Sequence, residues 1–106
     1  MKFEKSCGII VFKDNKVLMV EQNSCEWSFT KGHVEAGETE EETALRETKE
    51  ESNLDVEIVG DFKKTITYSQ KEGVMKDVVF FLGKPISNDL KPQEGEIINT
   101  KLFTFD

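Results

Sequence analysis

GHVEAGETEEETALRETKEESNL, residues 32–54, holds a glycine turn at Gly32, then Glu38, then a stretch carrying Arg46, Glu47, Glu50 and Glu51. Thr39 suits an N-cap, and Glu42 three residues later completes a capping box. The helix so begun is expected to run to about Ser52, with Asn53 suited to the left-handed residue that ends it. Residues 39–52 hold six Glu against one Lys and one Arg. The apolar content is Ala44 and Leu45, helped by the methyl groups of Thr43 and Thr48, so the docking stripe is thin. Glu47, Glu50 and Glu51 stand at i, i+3 and i+4, within about 100° of arc. Three carboxylates on one face repel each other unless something positive sits among them. Mg²⁺ suits such a face, because hard cations take carboxylate oxygens and keep positions open for water and phosphate. The plainer account is a solvated face on which Arg46 and Glu50 form an i,i+4 pair.

The flanking sequence reads as strands. Residues 3–12 and 16–21 are apolar runs joined by the polar turn Lys13-Asp14-Asn15, a hairpin and not a signal peptide. Residues 26–30 form a short extended piece with the single Trp, and residues 31–38 read as a loop. Residues 56–67 alternate, with Val56, Ile58, Phe62 and Ile66 as core candidates. Residues 74–82 include VVFFL, apolar enough for burial on both faces. Residues 84–95 form a polar loop with both prolines, and residues 97–105 a last strand. Strands flanking one helix imply an α/β domain with a mixed sheet.

At 106 residues the chain is expected to form one domain, residues 1–106. The net charge of −7 argues against binding long nucleic acid, which needs a basic stripe. A small phosphorylated ligand stays compatible, since a metal and a few lysines reverse the local potential. No apolar run approaches a membrane span. Cys7 and Cys25 are isolated, which fits reduced thiols in a cytoplasm.

The chain resembles the Nudix family, whose signature reads G-x5-E-x7-R-E-U-x-E-E-x-G-U, with U aliphatic. Gly32, Glu38, Arg46, Glu47, Glu50, Glu51 and Leu54 match at the required spacing. Thr48 stands where an aliphatic is usual, and Asn53 where glycine is usual; neither departure touches a carboxylate. The resemblance implies an α/β/α sandwich and a Mg²⁺-dependent pyrophosphohydrolase, with Mn²⁺ as a substitute ion. It implies Glu47, Glu50 and Glu51 as metal ligands, with the backbone near Gly32. Arg46 would orient the adjacent glutamate, and Glu38 would support. Glu96, ahead of Glu94, would be the extra acid from a loop. Glu47 is the first choice for general base, with Glu50 or a later acid as alternatives. The family's C-terminal helix would begin where this sequence reaches Asp106. The sandwich is therefore expected to lack that helix, and an apolar sheet face to be covered by a homodimer contact, with a truncated or aggregation-prone domain as the alternative.

WSFTKGHVEAGET is similar to the W-x-x-P-K-G-H-x-E-x-G-E pattern of asymmetric diadenosine tetraphosphate hydrolases, with Thr30 in place of proline. TITYSQKEGVMKDVVFFL is similar to the same group. That resemblance implies a dinucleoside polyphosphate as ligand. Tyr68 would border an adenine, Lys76 and Lys31 would neighbour phosphates, and His33 would make a minor substrate contact or be structural. The alternatives are a nucleoside triphosphate pyrophosphatase, an RNA 5′-end pyrophosphohydrolase, or, in another class, a nucleotide-binding sensor with little turnover.

Overall fold

The computed structural model describes residues 2–95 and 97–104. Seven strands and one helix follow in the order β1 (Lys2–Lys13), β2 (Lys16–Gln22), β3 (Trp27–Ser28), β4 (Thr30–His33), α1 (Glu40–Ser52), β5 (Val56–Lys71), β6 (Val74–Pro85) and β7 (Ile97–Thr104). β1 organises the sheet. It runs parallel to β6, antiparallel to β4, and turns through Asp14-Asn15 to pair with β2 at Phe12↔Val17 and Lys13↔Lys16. β5 extends the sheet beyond β6, and β3 and β7 extend it from β2.

The helix forms as its caps dictate. The Thr39 hydroxyl accepts from Glu42 N at 3.1 Å, and Glu42 Oε1 accepts from Thr39 N at 2.8 Å. Three glutamates in the first turn and Lys49 in the last complement the helix dipole. Asn53 ends the helix at φ 66°. Thr43, Ala44, Thr48 and Ser52 are fully buried, so small side chains bring α1 close to the sheet. Leu45 does not join them; it lies 37% exposed on the helix flank. Glu40 pins the N-terminal end by ion pairs to Lys5 of β1 and Lys63 of β5.

The core lies between α1 and the sheet, built from Cys7, Ile9, Val11, Leu18, Ala44, Leu54, Val79 and Phe81. Alternation sends Val78 and Phe80 to the opposite face. All four of Val78 to Phe81 are buried, as expected of a central strand with a parallel neighbour. On the face away from α1, Ile10, Phe12, Val17, Phe29 and Leu82 line an apolar groove of about 490 Å³. Among the described residues no helix covers it, and none is long and apolar enough to cross a membrane.

Three expectations change. The loop expected at residues 31–38 begins only at Val34, because Lys31, Gly32 and His33 pair with Gly8, Cys7 and Ser6. Phe62 and Ile66 are 42% and 46% exposed and are not core. The pairing of β5 with β6 skips between Ile58 and Lys63, around Gly60 at φ 69°, and Ile66 opposes Val78 on the face without a helix. Lys84 and Pro85 end β6 and do not begin the loop.

The two unusual threonines meet. Thr30 Oγ1 donates to the Ile9 carbonyl at 3.2 Å and lies 2.7 Å from Thr48 Oγ1, both side chains buried. Each therefore satisfies a hydroxyl that would be orphaned beside proline or an aliphatic. Thr30→Val and Thr48→Val are expected to be coupled by about 1 kcal/mol in a double-mutant cycle followed by urea unfolding. Additive effects would show that the contact carries no energy.

Candidate active site

β4 and α1 build the site by close approach. Gly32 lies directly beneath the Glu47 side chain, and a Cβ at position 32 would collide with the Glu47 carboxylate. One residue earlier, the Lys31 backbone N–H donates to Glu51 Oε1 at 3.0 Å. The β4 backbone thus receives two of the three signature carboxylates.

Arg46 is the hub behind them. Its Nε donates to Glu38 Oε2 at 2.6 Å and its Nη2 to Glu38 Oε1 at 3.0 Å, a two-point contact. Nη1 donates to Glu47 Oε2 at 2.6 Å and to both Glu50 oxygens at 3.0 and 3.2 Å. Nη2 also reaches the His33 carbonyl at 3.0 Å, tying the end of β4 to the helix. The positive charge that the acidic face requires is therefore present within the chain. These carboxylates hold the Arg46 guanidinium well above its ordinary range.

Glu38 and Glu47 are tuned in opposite directions. The Arg46 guanidinium, then the Glu35 backbone N–H and the Thr43 hydroxyl, hold the Glu38 carboxyl down at about 2. Burial pushes Glu47 up, Arg46 opposes that, and the charges of Glu50 and Glu35 add to it. A depressed folded-state value favours the native state above the ordinary carboxylate range near 4.5. That contribution is lost as pH falls from about 4.5 towards about 2. Glu38→Gln is expected to flatten the fall in stability over this window, measured by urea unfolding between pH 3 and 6. An unchanged slope would show that Glu38 is not the group responsible.

A cleft of about 400 Å³ opens beside these contacts, lined by Ser6, Gln22, Lys31, Gly32, His33, Glu47, Glu51 and Lys76. Six residues singled out in the sequence thus share one cavity. Tyr68 does not line it, but it pairs with Lys76 across β5–β6, so its half-exposed ring stands on the same sheet face. Glu50 stays outside, exposed and held by Arg46. Glu94 is exposed in the loop before β7, and Glu96 lies outside the described residues. Trp27 packs edge-on against Phe103 at 5.0 Å, a packing role. Two lining residues, Ser6 and Gln22, were not anticipated. The one signal for Ser6 is a polar residue at the start of the apolar run CGIIVF.

Among the described residues no three His, Cys, Asp or Glu side chains converge as a ready-made metal cage. Mg²⁺ does not require one. It is commonly held by one or two carboxylates together with waters and substrate phosphates. Glu47 and Glu51 beside the Gly32 backbone are a hard-oxygen donor set of that kind, and they fit such an ion.

The NUDIX domain family model matches residues 2–106. The chain belongs to the Nudix family. The asymmetrical bis(5′-nucleosyl)-tetraphosphatase of Sus scrofa is 31% identical over 102 residues, covering 82% of this chain and 69% of that protein. The Caenorhabditis elegans protein of the same description is 34% identical over 89 residues, covering 76% and 64%. This Nudix chain thus spans about two thirds of the length of these relatives. A crystal structure of a C. elegans Ap4A hydrolase binary complex superposes with a TM-score of 0.84 at 29% identity, covering 95% of this chain and 80% of that one.

Proposed function

We propose that this Nudix domain is a Mg²⁺-dependent hydrolase of dinucleoside polyphosphates, splitting diadenosine tetraphosphate into ATP and AMP. The observation that carries the proposal is the convergence of Glu47 and Glu51 at Gly32 with Lys31 and Lys76 in one cleft. The likeness to asymmetrical bis(5′-nucleosyl)-tetraphosphatases supports the choice of substrate. Bound Mg²⁺, or Mn²⁺ in its place, screens phosphate charge, lowers the pKa of water and stabilises the departing phosphate.

Glu47 is the proposed general base. A water oxygen bonds to phosphorus, one phosphate anhydride bond breaks, and Glu47 takes the proton of that water. Arg46 fixes the carboxylate through Oε2 and is itself fixed by Glu38. Glu51 joins Glu47 as metal ligand. Glu50 serves the metal only after leaving Arg46, and Glu96 completes the proposed acid set from the last loop. Lys31 and Lys76 act as point charges on the phosphates. Tyr68 offers a ring for an adenine, and His33 borders the substrate.

Incubation with a panel of nucleoside triphosphates, 5′-triphosphate RNA and dinucleoside polyphosphates tests the substrate class, with products separated by chromatography. Fastest turnover of diadenosine tetraphosphate, to ATP and AMP, supports the reading. Preference for a triphosphate would move the assignment to a nucleoside triphosphate or RNA pyrophosphohydrolase. Binding without product would make the domain a sensor. The free thiols of Cys7 and Cys25 suit a cytoplasmic protein. The groove at Ile10, Phe12 and Leu82 suits a homodimer contact, which sedimentation over a range of concentrations decides.

A further inference from the structure

Among the described residues, Ser6 Oγ is the one buried side-chain polar atom without a hydrogen-bond partner. The residue is 1% exposed and lines the cleft that holds Glu47 and Glu51. A buried hydroxyl left unpaired destabilises a fold, so its retention at such a place points to a group that arrives from outside.

The register shows what surrounds it. Ser6 stands opposite His33 on β4 and opposite Val78 on β6. Lys31 pairs with Gly8, two residues along β1, and Lys76 lies two residues before Val78. Side chains alternate between faces, so Ser6, Lys31, His33 and Lys76 share one face. Lys76 is only 6% exposed. Among the described residues neither Lys31 nor Lys76 has an ion pair. Burial and then the charge of Lys31 disfavour charged Lys76, and Glu4 opposes them. Glu4 faces Lys76 in register, but its ion pair is with Lys2, at 3.7 Å. Two lysines without an ion pair and an unspent hydroxyl thus line one cavity, beside the Glu47 and Glu51 carboxylates. A phosphate oxygen arriving with the substrate would give the hydroxyl an acceptor and both lysines an anion.

We propose that Ser6 is a substrate-binding residue whose hydroxyl donates to a non-bridging phosphate oxygen of the polyphosphate chain, held between Lys31 and Lys76. This rests on the hydrolase reading for its substrate but not for its chemistry, which any polyphosphate satisfies. The lysine side chains are the movable part of the wall, each with several rotatable bonds. On this proposal those side chains swing aside to admit the phosphate to Ser6.

Ser6→Ala removes the hydroxyl with almost no change of shape. Inorganic tripolyphosphate, titrated calorimetrically in Mg²⁺ buffer, is expected to bind this variant about tenfold more weakly than the wild type. KM for diadenosine tetraphosphate rises by a similar factor. The thermal midpoint of the free protein stays level or rises, since an unpaired buried group has gone. If instead a buried water satisfies the hydroxyl, the midpoint falls and tripolyphosphate affinity is unchanged, which overturns the proposal. Wild-type protein that binds no tripolyphosphate overturns it as well. Should Ser6→Ala not fold, Ser6→Cys keeps the size with a weaker donor. Its affinity is expected to fall below that of the wild type, and equal affinity overturns the proposal. The two readings fail separately. Tripolyphosphate binding that depends on Ser6, without turnover of any dinucleotide, keeps the phosphate pocket and removes the hydrolase. Turnover that ignores Ser6 does the reverse.

Discussion

Glu47→Gln is expected to lower kcat for diadenosine tetraphosphate by about a hundred- to ten-thousand-fold, the range for losing a positioned general base. The fold should tolerate the change. Gln keeps the shape, and Gln Oε1 still accepts from Arg46 Nη1, which now holds Glu47 Oε2 at 2.6 Å. Removing a half-buried charge also relieves its repulsion with Glu50 and Glu35. Glu51→Gln separates two roles in the same way. Its remaining oxygen still receives the Lys31 N–H, so the contact with β4 persists while a cation loses a charged ligand. Both variants should therefore unfold close to the wild-type midpoint yet turn over slowly. Steady-state kinetics beside thermal unfolding checks this. A variant that is inactive only because it unfolds would remove the catalytic roles.

Gly32→Ala is the second large effect. Its Cβ would occupy the place of the Glu47 carboxylate, so the side chain must swing away. Displacing a reacting group by about 1 Å costs on the order of a hundredfold in rate. The displacement also strains the Arg46 contact, so stability should fall along with turnover. Gly37, exposed at φ 85° with open space around it, is the control. Ala there costs backbone strain but leaves Glu47 in place. Equal losses of kcat at the two positions would show that strain, and not the Glu47 collision, controls the site.

The helix was legible because its determinants are local. Thr39, Glu42 and Asn53 specify both ends within one segment, and the carboxylate spacing is a matter of helical period. β4 was not legible, because Gly32 and His33 become strand only by pairing with Cys7 and Ser6, some 25 residues earlier. Phe62 and Ile66 looked like core by alternation, yet a register skip and an edge position left them exposed. The sequence placed Arg46 beside Glu47 but could not show one guanidinium serving Glu38, Glu47 and Glu50 together. The exchange of Thr30 and Thr48 for more usual residues looked like two separate departures; the fold joins them through one hydrogen bond. Ser6 was illegible for a related reason. An unpaired buried hydroxyl is a property of the assembled sheet and not of any stretch of chain.

Glu47 and Glu51, brought together at Gly32, are proposed to hold a divalent ion. Mn²⁺ titration followed by electron paramagnetic resonance tests it without relying on turnover. Saturable Mn²⁺ binding is expected of the wild type, displaced by Mg²⁺ and lost in the doubly substituted Glu47→Gln, Glu51→Gln protein while its fold persists. Unchanged Mn²⁺ binding in that folded variant would contradict it.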